Sequence, residues 1–119
     1  MNIVDHYSFG KISVSGNSFT DSFTSDVIIL PDTILPDWWR MAGHNLCIDD
    51  LSHLLERSLE ILIIGTGYNN RMTVPNDLID ELESLGIRVL VKKSTKAVEL
   101  YNELVRGKKE VALAIHLTC

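Results

Sequence analysis

Long apolar runs, paired cysteines and an excess of base are all missing from this sequence. The longest bulky apolar run, Ile61 to Ile64, is far short of the roughly 20 residues that span a bilayer as a helix, so no membrane association is expected. The two cysteines, Cys47 and Cys119, are far apart, with no CxxC and no neighbouring pair of histidines. That pattern excludes a disulfide framework and a zinc site, and fits reduced thiols in the cytoplasm. Cys119 is the last residue, whereas a prenylation box has its cysteine fourth from the end. No basic-then-apolar leader or Arg-rich transit segment opens the chain. Lys and Arg number 11 against 16 Asp and Glu, a net charge of -5, so the clustered cations that neutralise nucleic-acid phosphates are absent.

Of the 119 residues, 45% are hydrophobic and 23% charged, enough for one packed domain over 1–119 and too apolar for disorder. The acidic excess lies wholly in the first half: residues 1–59 carry eight acids and three bases, residues 60–119 eight of each. It reads either as a solubilising surface or as a docking face for a basic partner.

The organising stretch is Glu60-Ile61-Leu62-Ile63-Ile64-Gly65-Thr66-Gly67. A strand apolar on both faces must be covered on both, which predicts the central strand of a helix-covered sheet. Before it, residues 3–30 read as β: Tyr7, Phe9, Ile12 and Val14 alternate with polar residues in one or two hairpins, and Val27 to Leu30 is a buried run stopped by Pro31. Residues 31–37 form a loop. Of the adjacent Trp38 and Trp39, one is expected to pack inward and the other to line a surface. Asp49 or Asp50 caps a short helix with apolar face Leu51, Leu54 and Leu55.

After the glycines, Pro75 opens a helix burying Leu78, Ile79, Leu82 and Leu85, and Gly86 ends it. A strand follows over Ile87 to Val91. Ser94 or Thr95 caps the longest helix, with stripe Ala97, Val98, Leu100, Tyr101, Leu104 and Val105; Val111 to Ile115 closes the chain as a strand. The fold class is therefore α/β, a three-layer single domain. Its mixed sheet combines a carboxy-terminal βαβαβ half with an amino-terminal antiparallel hairpin region.

Parallel strands in the second half would bring Gly65, Thr66 and Gly67 to one edge with Lys92, Lys93 and His116. Free N–H groups, a hydroxyl, a cation and an imidazole there could hold a small anion. Against a dinucleotide site, the third fingerprint glycine is missing and the next helix starts late; Gly-Lys-Ser/Thr is absent too. The alternative is that the glycines let the chain leave a crowded edge. His44 can pair with Asp49, Asp50 or His116, or serve as a structural histidine; His6 and His53 read as surface residues. No Ser or Cys has a nucleophile motif, no acids or histidines have metal spacing, and no cofactor is expected. Trp38, Trp39 and Arg40 are residue types that dominate interface hot spots.

Trp38-Trp39-Arg40, Gly43-His44, Asp50-Leu51, Ile63-Ile64-Gly65-Thr66-Gly67, Pro75, Gly86-Ile87, Thr95, Tyr101-Asn102 and Ala114-Ile115-His116-Leu117-Thr118-Cys119 recur together in that order. In them the chain resembles the small-domain family that includes mitochondrial complex I assembly factor 3 and the adipogenesis-associated domain protein of animals. The resemblance implies a three-layer α/β fold around a mixed sheet and, for most prokaryotic members, no assigned activity. The mitochondrial relative works through a protein partner. With no presequence here, the organellar role is not expected to carry over. Two functions follow as expectations. The first is a non-catalytic assembly-type module, monomer or homodimer, that binds a protein partner through Trp38, Trp39, Arg40 and the Gly65-Thr66-Gly67 edge. The second is an enzyme or sensor for a small anionic metabolite, using Gly65, Thr66, Gly67 and His116, with His44 as acid or base.

Overall fold

A computed structural model of the chain describes residues 1–40, 45–55 and 57–119. The amino-terminal part gives β1 (Ile3–Ser8), β2 (Lys11–Ser15), β3 (Thr20–Phe23), β4 (Val27–Ile29) and β5 (Ile34–Leu35), followed by a 3-10 helix (Ile48–Leu54). The carboxy-terminal part alternates: β6 (Ile61–Thr66), α1 (Asn76–Ser84), β7 (Arg88–Lys92), α2 (Ser94–Arg106) and β8 (Val111–His116).

A five-stranded mixed sheet in the order β5-β4-β8-β6-β7 forms the middle layer. β6 runs parallel to both β7 and β8, whereas β4 pairs antiparallel with β8. Every residue of β6 and of β8 is buried, as continuous apolar runs require when both faces are covered. Alternate residues divide between two cores. Ile28, Leu62, Ile64, Ala112 and Ala114 face one, where Leu78 and Leu82 of α1 and Leu51 and Leu54 of the 3-10 helix meet them. Val27, Ile29, Ile61, Ile63, Leu113 and Ile115 face the other, under Ala97, Tyr101 and Val105 of α2 and under Ile12 and Val14. Those last two belong to an antiparallel meander, β1-β2-β3, a separate three-stranded sheet beside α2.

The sequence reading is corrected at several points. Phe9 is exposed: it sits in the β1–β2 turn, beside Gly10 with its φ of 79°, where no strand alternation applies. Leu55 and Leu85 also face solvent, each just past the end of its helix. The 3-10 helix is capped at Cys47 rather than by an aspartate: the Asp50 carboxylate reaches back to accept the Cys47 N–H at 3.0 Å. At α2 the cap position is Lys93, and Ser94 lies inside the helix with its hydroxyl turned elsewhere.

β1 is tied to α2 by a side chain that imitates a strand. Asn102 accepts the Val4 N–H through Oδ1 at 2.9 Å and donates through Nδ2 to the Val4 carbonyl at 2.8 Å, next to the register shift between Val4 and His6. Tyr101, fully buried, adds a hydrogen bond from its hydroxyl to the Asn2 carbonyl at 2.8 Å. Asn102→Ala leaves both Val4 groups without this partner and is expected to destabilise the protein by about 2 kcal/mol in urea denaturation. An unchanged midpoint would mean that apolar contact alone holds the meander to α2.

Candidate functional site

The edge where β6, β7 and β8 end is closed by a charged cluster around Asp26. β4 runs antiparallel to β8 with Val27 opposite Ile115, so the residue before β4 comes level with the end of β8. Asp26 Oδ1 accepts the Leu117 N–H at 2.7 Å. Its Oδ2 lies 2.7 Å from His116 Nδ1 and 2.7 Å from Arg40 Nη2. The two nitrogens are 3.1 Å apart. With the guanidinium a donor, both share one acceptor if Nδ1 carries a proton, and that is the tautomer this geometry fits. Burial pushes the Asp26 carboxyl upward, but hydrogen bonds from His116, Leu117 and Arg40, with the Arg40 charge, outweigh it and hold the group below the usual carboxylate range.

Trp38 ties this cluster to the 3-10 helix. Its backbone N–H donates to the Asp26 carbonyl at 2.7 Å, and its indole N–H donates to the Asp50 carbonyl at 2.8 Å. The Arg40 guanidinium carbon stands 4.8 Å from the Trp38 ring centroid, a cation–π contact. Trp38 is 9% exposed and Trp39 78%, so the two indoles part as the sequence predicts. Two open clefts flank the pair. One, of about 520 Å³, includes Ile28, Leu35, Asp37, Trp38, Trp39 and Asp49 among its lining residues. The other, of about 500 Å³, is lined in part by Asp26, Asp37, Trp39, Arg40 and Thr118.

One strand over, Thr66 is in register with His116, so the turn and the imidazole do share an edge. Ser94 stitches them together: its hydroxyl donates to the His116 carbonyl at 2.6 Å and accepts the Gly67 N–H at 2.9 Å. The Tyr68 N–H goes to the Thr118 carbonyl at 2.6 Å. The Thr66 hydroxyl bonds the Lys92 carbonyl at 3.2 Å and also contacts Asn70. A Cβ on Gly67 would lie 2.3 Å from the carbonyl carbon of Cys119; one on Gly65 would lie 2.9 Å from Ile115 Cγ1.

This geometry corrects the anion reading. The N–H groups of Gly67 and Tyr68 are spent on protein partners, the glycines are required by close packing, and Lys92 and Lys93 face solvent. At this edge the Ser94 hydroxyl is engaged with backbone, while Asp26 and Arg40 flank the His116 imidazole. Among the described residues no group of three or more His, Cys, Asp or Glu is placed to hold a metal ion.

Trp38, Arg40 and His116 are thus drawn into one cluster, and Gly65, Thr66 and Gly67 brace it from the next strand. Trp39 stands exposed beside it, lining a cleft with Asp26 and Arg40, and His44 lies outside the described residues. His6 and His53 are exposed, as expected. Asp26 and Ser94 were not legible as site residues. Asp26 reads as a polar residue ahead of a buried strand, and Ser94 as a helix cap; only strand pairing shows what faces them. Cys47 donates through Sγ to the Asp50 carboxylate at 3.2 Å, and that hydrogen bond, with lesser burial, raises its thiol pKa, which leaves it a poor nucleophile.

A mixed sheet covered on both faces, with a largely buried ion cluster at its edge and an exposed indole beside it, defines a three-layer α/β protein. The same fold is seen in a conserved hypothetical protein of Pyrococcus horikoshii, 25% identical with a TM-score of 0.80 and covering 98% of each chain. It is also seen in a structure described as an outer membrane protein from Bartonella henselae, 24% identical with a TM-score of 0.78, covering 98% of this chain and 94% of that one. This chain belongs to the family described as protein of unknown function (DUF498/DUF598), matched over residues 4–116. It is 28% identical over 116 residues to NADH dehydrogenase [ubiquinone] 1 alpha subcomplex assembly factor 3 of Danio rerio, covering 95% of this chain and 63% of that protein. The chain thus spans somewhat less than two thirds of that relative's length. The resemblance read from the motifs stands. Among the described residues, no helix is long and apolar enough to cross a membrane.

Asp26→Asn keeps the shape of the cluster and removes the buried anion that Arg40 and His116 share. A loss of about 3 kcal/mol is expected at pH 7. Because the folded carboxyl titrates below its unfolded value, its contribution is fully present above the unfolded pKa of about 3.9 and is lost as pH falls through the folded pKa. The gap between wild type and variant in urea midpoints should therefore close below about pH 4. A gap independent of pH would refute the ionised assignment.

Proposed function

We propose that this protein is a non-catalytic, protein-binding module of assembly type, with Trp39 at the centre of its recognition surface. The observation that carries the reading is the exposure of that indole, 78%, directly beside side chains that are locked in place. Trp38, Arg40 and His116 hold the surface rather than present it, and Gly65, Thr66 and Gly67 fix the strand end behind it. A rigid aromatic anchor loses little conformational freedom on binding and excludes water over a large area, the usual make-up of an interface hot spot. Support from kinship is of the same kind: the Danio rerio relative is an assembly factor. A reducing compartment such as the cytoplasm is part of the reading, in keeping with two free thiols.

Two substitutions separate recognition from folding. Trp39→Ala is expected to leave stability within about 0.5 kcal/mol and to abolish recovery of the partner from a native lysate. Trp38→Ala, which empties a core position and breaks the clamp, is expected to cost about 3–5 kcal/mol. Size-exclusion of wild type beside Trp39→Ala shows whether the partner is a second copy of the chain. Recovery of the same proteins by the Trp39 variant would sink the proposal.

A further inference from the structure

Acids outnumber Lys and Arg among the described lining residues of the two clefts beside Trp39. The larger has an apolar wall of Ile28, Leu35 and Trp38, and its described lining residues include no Lys or Arg, with His53 as the one imidazole among them. Its exposed acids are Asp37 and Asp49. The smaller cleft holds Asp26, Asp37 and Arg40, and the Arg40 guanidinium is already on Asp26 at 2.7 Å. Asp37 lines both clefts, as does the neighbouring Trp39. Asp37 is held there by a left-handed backbone, φ 55°, between Pro36 and Trp38, a conformation that Asp and Asn tolerate better than most residues. Asp50 adds negative potential from behind, although its carboxylate is turned inward to Cys47.

We infer that the Trp39 surface takes a basic segment of a protein partner, one in which a Lys or Arg adjoins a bulky apolar side chain. The inference rests on the binding reading above and specifies its chemistry. The apolar side chain packs against Leu35 and Trp38 in the larger cleft. The cation lies over the face of Trp39 and pairs with Asp37, with Asp49 adding a second charge. The acidic excess of the first half of the chain favours the same partner at longer range. Phosphate-bearing surfaces meet like charge here. So does a second copy of this chain docked face to face, because a two-fold contact sets the same acidic patch against itself.

Panning a random peptide library against the folded protein, with counter-selection on Trp39→Ala, reads the preference directly. Recovered peptides should be enriched in Lys or Arg next to Leu, Ile, Phe or Trp. The doubly substituted Asp37→Asn, Asp49→Asn protein keeps the turn geometry and should bind them on the order of fivefold more weakly. Binding should also fall as salt rises from 0.05 to 0.5 M, roughly where the screening length drops below 10 Å. Trp39-dependent peptides with no cationic bias, or binding unchanged in the double variant, would overturn this inference and leave the binding reading intact. No Trp39-dependent enrichment at all would overturn both. A Trp39-dependent dimer whose self-association is insensitive to Asp37 and Asp49 would replace the basic partner with a second copy.

Discussion

The Asp26 carboxylate sits where three stretches of chain meet. It receives the Leu117 N–H beyond β8, the His116 imidazole at the end of β8 and the Arg40 guanidinium from the loop after Trp38. A buried ion pair is a weak source of net stability, because desolvation consumes much of the attraction. What it supplies is a unique arrangement: moving any one of the three leaves a charge or a polar group without its partner. The position of Arg40 in turn sets Trp38 beneath it, and Trp38 sets which way its neighbour faces.

The exposed indole follows from that constraint. Adjacent side chains in an extended segment point to opposite sides. With Trp38 committed to the core by two hydrogen bonds and a cation, Trp39 has only solvent to face. The same logic makes the Gly65-Thr66-Gly67 turn part of the frame. A glycine turn at the end of a parallel strand is often open and offers its N–H groups to an anion. In this chain Ser94 reaches in from the first turn of α2 and takes the Gly67 N–H, while the segment after β8 covers the turn. That hydroxyl takes up the Gly67 N–H and, through the His116 carbonyl, joins α2 to the ends of two strands.

The layered fold was legible because it depends on local pattern. The run Ile61 to Ile64 is apolar at every position and can only be an inner strand. The stripe from Ala97 to Val105 has helical period, and Gly86, with φ 88°, ends its helix as the C′ position demands. Where side-chain pattern was read past its element, at Phe9, Leu55 and Leu85, the chain had already turned, and each residue lies in solvent.

By itself, then, the sequence determined the covered central strand, the helix-strand alternation of the second half and the opposite destinations of Trp38 and Trp39, since each is set within a few residues. Only the tertiary structure decided that Asp26 meets Arg40 and His116 and that Ser94 occupies the glycine turn. Those partners are brought together by the antiparallel pairing of β4 with β8 and by the packing of α2 on the sheet. Contacts of that separation are fixed by which strands become neighbours, and no local periodicity encodes strand order.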